Sequence, residues 1–255
     1  LVFAALPAMA EPGADDPSRI QRWNDLRHAI LDDRPVTDAR GAVTLEAPER
    51  ALDAALVPIT VRLAGGPYKT LYLVIDDNPS PLVGTFRFGP AADTRELRTR
   101  VRVDDYTLIH AVAETNDGRL LVAQRFVKAS GGCSAPASGS AEEALARLGR
   151  MKLKPASDGP AGAQQVQLLV SHPNYNGMQM DQVTRLYTPA RFVQDIRVTE
   201  GDRLVFDLAS DISLSEDPSI TFGLKSPAAG PLKVDVTDSA NARFAKSFDI
   251  PSVTN

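Results

Sequence analysis

Cys133 is the only cysteine in this chain of 255 residues, and it stands in Ser130-Gly131-Gly132-Cys133-Ser134-Ala135-Pro136-Ala137-Ser138-Gly139-Ser140. A thiol reacts as its thiolate, so what surrounds the sulfur decides whether it does chemistry. Here no neighbour is charged, most are small or turn-forming, and the two preceding glycines lift the steric limits on φ. That composition predicts a solvent-accessible thiol on a mobile arm hinged at Gly131 and Gly132, offered to something that reaches it. Against an inert, buried cysteine stand the glycines and the lack of apolar alternation from Ser130 to Ser140. A thiol enzyme would need a base or a cation close by, since a free cysteine has a pKa of about 8.5. Along the chain only Lys128 is near. The three histidines, His28, His110 and His172, are distant in sequence, which leaves their spatial proximity open.

His172, Met178 and Met180 form a second candidate, as imidazole and thioether ligands for copper, but without a second histidine or further methionines the set reads as a plain structural loop. Arg98, Arg100 and Arg102 alternate with Thr99, Val101 and Val103, the pattern of a solvated strand face, with an anion-attracting patch near the arm as the alternative. No metal and no cofactor is expected.

The start, Leu1-Val2-Phe3-Ala4-Ala5-Leu6-Pro7-Ala8-Met9-Ala10, is apolar, ends in a small-x-small triplet and turns polar at Glu11, like the tail of a secretory signal peptide cleaved after Ala10. The expectation is an extracytoplasmic, periplasmic protein. A single cysteine there closes no internal disulfide, so it is either reactive or paired with a second chain in a disulfide-linked homodimer. The formal net charge is −4, with no run of basic residues to track a phosphate backbone. Neither nucleic acid nor a membrane is therefore an expected partner.

Around these residues the chain reads as mainly β. Ile20, Trp23, Leu26, Ile30 and Leu31 are spaced three and four apart after Ser18, a candidate N-cap, and predict one N-terminal helix packing Trp23 on the first domain. From Leu56 the period switches to two, with strands expected at 56–63, 68–75, 85–88, 97–103, 108–113 and 120–127. Asn116-Asp117-Gly118 forms the turn of the last hairpin. Ser140 and Glu143 form a capping box for a short linker helix with Leu145, Leu148 and Met151 on its apolar side. Strands are expected again at 166–171, 190–198, 203–208, 212–214, 219–224, 232–236 and 243–250. The fold class is two immunoglobulin-like β-sandwich domains in one chain. The expected divisions are a signal remnant at 1–10, helix and connector at 11–51, and a first sandwich at 52–130. Arm, short helix and linker follow at 131–163, and a second sandwich at 164–255.

Ala55-Leu56-Val57-Pro58-Ile59, Leu73-Val74-Ile75-Asp76-Asp77-Asn78-Pro79-Ser80-Pro81-Leu82, Arg100-Val101-Arg102-Val103 and Val127-Lys128-Ala129-Ser130-Gly131-Gly132-Cys133 resemble the SoxY subunit of the sulfur-oxidation carrier. The segment from Gln164 to Ile250, with Val170-Ser171-His172-Pro173, Asp217-Pro218-Ser219-Ile220 and Gly230-Pro231-Leu232-Lys233-Val234, is similar to its partner SoxZ. Having both in one chain resembles the fused SoxYZ-like carrier found with quinoprotein dehydrogenases. The resemblance implies immunoglobulin-like domains, a non-catalytic protein, and a swinging arm on which Cys133 carries sulfur intermediates between periplasmic enzymes. The family arm ends Gly-Gly-Cys-Gly-Gly at a free terminus, whereas this chain continues through Ser134-Ala135-Pro136.

The expected function is an extracytoplasmic carrier that binds a small, sulfur-containing intermediate covalently on Cys133, on an arm spanning about 20 Å at most from Val127, and presents it to periplasmic redox enzymes, a quinoprotein dehydrogenase or cytochrome among them. The alternative is a non-catalytic adaptor that docks a periplasmic quinoprotein dehydrogenase.

Overall fold

Val57, Ile59, Val61 and Leu63 are buried while Pro58 and Arg62 face out, the period-two burial of a strand laid on a core. The same arithmetic repeats along most of the chain. The computed structural model describes residues 13–156, 159–181, 184–225 and 230–250; the apolar start up to Ala10 and residues 157–158 of the linker lie outside the described residues. The first half holds α1 (Pro17–Leu31), β1 (Val36–Asp38), β2 (Val43–Glu46), β3 (Val57–Leu63), β4 (Tyr68–Ile75), β5 (Leu82–Phe88), β6 (Ala92–Val101), β7 (Thr107–Thr115) and β8 (Leu120–Val127). After the cysteine segment come α2 (Ala141–Ala146), β9 (Met151–Ala156), β10 (Gln164–Val170), β11 (Val193–Glu200), β12 (Arg203–Ser210), β13 (Ser219–Leu224), β14 (Leu232–Asp238) and β15 (Arg243–Phe248).

The two immunoglobulin-like halves lie edge to edge and share both of their sheets. One sheet has nine strands in the order β1-β8-β7-β4-β5-β12-β11-β14-β15, the other six in the order β2-β3-β6-β13-β10-β9. The junctions are antiparallel ladders, β5 on β12 and β6 on β13. Pairing covers four strand edges, those of β5, β12, β6 and β13, that would otherwise template aggregation. Between the sheets Phe86 of β5 lies 5.8 Å from Phe206 of β12, and Phe206 meets Phe222 of β13 edge-on at 5.0 Å. One apolar core therefore runs through both halves.

Local details depart from expectation for physical reasons. Asp16, not Ser18, caps α1: Pro17 carries no N–H, and the Asp16 carboxylate accepts the Ser18 N–H at 2.9 Å. Trp23 stacks on His110 of β7 at 3.7 Å, docking α1 on the first half. The Ser140–Glu143 capping box is present in both directions, but α2 buries Ala144 while Leu145 is exposed. Met151 belongs to β9, an unforeseen strand that pairs with β10. The short strands β1 and β2 also fall where only a connector was expected. Residues 212–214 form a turn rather than a strand, touching β6 through a single Leu214–Val101 bridge.

Candidate functional site

Cys133 is buried, with 1% of its surface accessible, and so corrects the expectation of an exposed, mobile arm. The segment after β8 folds back onto the first half. Gly131 N–H donates to the Asp104 carbonyl at 2.7 Å and Gly132 N–H to the Val103 carbonyl at 3.0 Å, and Cys133 N–H reaches the Asp104 carboxylate at 3.1 Å. The glycines serve this closeness. Gly131 has φ +72°, and a Cβ on Gly132 would stand 2.1 Å from the Ala54 carbonyl oxygen, so only glycine lets the backbone lie in the groove.

The second half closes the seat. Asn176 donates its side-chain amide to the Cys133 carbonyl and Gln179 donates to the Ala135 carbonyl at 3.2 Å. Gln179 Oε1 in turn accepts the Asn176 N–H. Further along, Ser138 N–H donates to the Glu216 carboxylate at 3.1 Å. The start of the loop between β10 and β11 is anchored by Asn174, fully buried. Its amide donates to the Ser215 carbonyl at 3.0 Å while its carbonyl oxygen accepts the Val193 N–H at 3.0 Å. Asn78 does the same on the first half, donating to the Arg102 carbonyl and to Ser213 Oγ and accepting the Asp104 N–H.

Arg102 lies behind the seat and is wholly buried, which corrects its placement on a solvated face. The alternation fails because β6 ends at Val101, so Arg102, just past the strand, points inward. Its guanidinium donates to the Gly132 and Asn174 carbonyls, each at 3.4 Å, while Nε has no hydrogen-bond partner among the described residues. Burial lowers its pKa, opposed by the carboxylate charges of Glu216 and Asp53, and a guanidinium stays charged regardless. Arg98 and Arg100 are half-buried; Arg98 bonds Glu96.

The thiol is held protonated. Its pKa is pushed up to about 12, first by burial, then by the Asp104 carboxylate, which also accepts its hydrogen bond; Arg102 pulls the other way and is outweighed. A thiol in this state is neither nucleophile nor metal ligand near neutral pH, and in this conformation it cannot meet the cysteine of a second chain.

No histidine is hydrogen-bonded to it. His28 contacts Asp33 at the surface. His110 is buried with Nε2 3.0 Å from Asp76. His172 spends both ring nitrogens on structure, Nδ1 accepting the Asn174 N–H at 3.0 Å and Nε2 facing Asp238 at 3.4 Å, so the 172–180 loop is part of the clasp. Sequence reasoning found Cys133 and its glycines but missed Asp104, Asn176 and Gln179. The Pro173-Asn174-Tyr175-Asn176-Gly177 run was the available signal, since buried amides in a loop need partners elsewhere.

The family model for the sulfur oxidation protein SoxY matches residues 27–133, and that for the sulphur oxidation protein SoxZ matches residues 151–249. The chain is a SoxYZ-like fusion. Its SoxY half thus ends, in the family match, on Cys133 itself, and its SoxZ half supplies the amides that close over that cysteine. Among solved structures, the chain is similar to the sulfur carrier protein SoxY from Chlorobium limicola f thiosulfatophilum, at 26% identity and a TM-score of 0.38, over 44% of this chain and 94% of that one. No curated protein matches it.

Proposed function

We propose that this SoxYZ-like protein is a non-catalytic sulfur-oxidation carrier, working in the periplasm, that holds a small sulfur-containing intermediate covalently on Cys133 and presents it to partner redox enzymes. The observation that carries this reading is the position of the lone cysteine. It is the last residue of the SoxY match, seated where the SoxY and SoxZ halves meet.

Carriage requires the seat to open. The closed state is held mainly by the three N–H bonds of Gly131 to Cys133 and the amide bonds of Asn176 and Gln179. At roughly 0.5–1.5 kcal/mol net apiece, these bonds sum to a few kcal/mol, a gap that a partner preferring the open segment can bridge. Once out, the thiol leaves Asp104 and the dry pocket, and its pKa returns toward about 8.5.

Burial of the thiol favours a second reading, an adaptor that docks a periplasmic quinoprotein dehydrogenase and uses Cys133 only for packing. The Cys133→Ser variant separates the two. A carrier loses its biological activity while fold and partner docking persist, and wild type taken from its native periplasm shows by intact mass a reductant-labile adduct that the variant lacks. Full activity in the serine variant rejects carriage and leaves the adaptor.

A further inference from the structure

Beside the cysteine segment a groove of about 670 Å³ opens between the end of α2, the start of β9 and β15. Arg100, Arg147, Arg150, Lys152 and Lys246 line it, against one carboxylate, Asp217. The chain as a whole is acidic, at −4, so this is a local inversion of sign, and a cleft concentrates the field of the charges around it. Three of the five cations are tied down. Arg147 pairs with Asp217, Arg100 donates to the Asp217 carbonyl at 2.9 Å, and Lys246 donates to the Met151 carbonyl at 3.0 Å. Arg150 and Lys152 are exposed and make no ion pair among the described residues.

The groove is linked to the seat along the chain. α2 follows the cysteine segment directly, Arg147 is its C-cap, and Glu216, which holds Ser138, adjoins Asp217. The cations come from β6, the end of α2, the residue before β9, β9 itself and β15, rather than converging on one point. A single oxyanion needs converging donors; an extended chain carrying several carboxylates matches a spread of this kind.

We propose that this groove docks an acidic peptide segment of the partner protein that the cysteine segment serves. The proposal rests on the reading above only in assigning the protein a partner. Its test does not use the thiol, so Cys133→Ser should bind the probe like wild type whichever way carriage turns out.

The probe is an oligo-glutamate peptide titrated into the full chain at low ionic strength, followed by amide chemical shifts. Shifts should concentrate at Gly149 to Lys152, Ser171 and Ala245–Lys246, and binding should weaken steeply with added salt. Reversing the two free, exposed cations together, Arg150→Glu with Lys152→Glu, should cut affinity by about tenfold or more. The control Arg119→Glu with Arg125→Glu makes the same change in net charge elsewhere on the surface and should leave affinity within about twofold. The proposal is overturned if no binding is seen, if the control pair weakens binding as much as the groove pair, or if inorganic sulfate at equal concentration displaces the peptide and so marks a single-oxyanion site.

Discussion

A methyl group on Gly132 would overlap the Ala54 carbonyl, so Gly132→Ala should force the cysteine segment from its seat. Overpacking of this kind costs roughly 1–3 kcal/mol, which multiplies the open fraction, and the rate of thiol labelling in the folded protein, by about tenfold or more. Wild type should label slowly when folded and fully once denatured. Asn176→Ala, which removes one bond to the Cys133 carbonyl, should speed labelling about fivefold. If all three label at one fast rate, the seat does not hold the segment in solution. The pH dependence has a definite sign. The folded thiol has its pKa raised to about 12, whereas the unfolded one titrates near about 8.5. Its contribution to stability is complete below the unfolded value and is lost as pH rises toward the folded one. Urea unfolding should therefore show wild type losing stability relative to Cys133→Ser between about pH 8.5 and about 12, and a constant difference across that window would contradict the buried thiol.

α1 is held by a small apolar cluster, Leu31 with Val112 and Leu120, and by Trp23 flat against His110, whose ring is itself tied to Asp76. Arg19 adds a bond to Asp77 at 2.7 Å and Arg22 one to the Asp76 carbonyl at 3.0 Å. Trp23→Ala should lower the urea midpoint by an amount equivalent to about 2–3 kcal/mol, since the ring is only partly buried and the loss falls below that of a full core deletion. The α1 amides should also lose hydrogen-exchange protection ahead of the sheets. Unchanged protection in α1 would mean that Leu31 and the arginine contacts suffice. The loop between β10 and β11 is a different kind of element. Its described part is tied across itself by isolated bridges, Tyr175 with Arg191 and Met180 with Tyr187, and anchored to the body by buried Asn174, which bonds the main chain of Ser215 and Val193.

At the scale of the molecule, shared sheets make the two halves one folding unit. Each contributes strands to both layers, and Phe206 touches aromatic side chains of the first half and the second at once. Phe206→Ala should cost about 3–5 kcal/mol and shift a single unfolding transition as a whole. Two separate transitions would show independent halves. Fragments divided in the Ala156–Ala163 linker should associate when mixed at micromolar concentration, because the cut separates β5 from β12, β6 from β13 and β9 from β10 and leaves each fragment with part of a core that the other completes. Fragments that stay apart would mean that the linker, not the ladders, holds the halves together.

Elements and their order were legible from the sequence because they depend on local patterns: the period of two in Val57 to Leu63, the spacing of Ile20, Trp23 and Leu26, the capping box at Ser140. The lone cysteine and its two glycines stood out equally well. Their meaning was not legible, because glycine permits two opposite things, a loose tether in solvent or a backbone pressed against another. What decided for Gly132 was the Ala54 carbonyl, far away along the chain. In the same way the alternation of Arg98, Arg100 and Arg102 gave no sign that β6 stops at Val101, and no local pattern could show that β5 would pair with β12. Strand pairing, burial and the charge felt by a thiol are sums over neighbours distant in sequence, and only the tertiary structure brings those neighbours together.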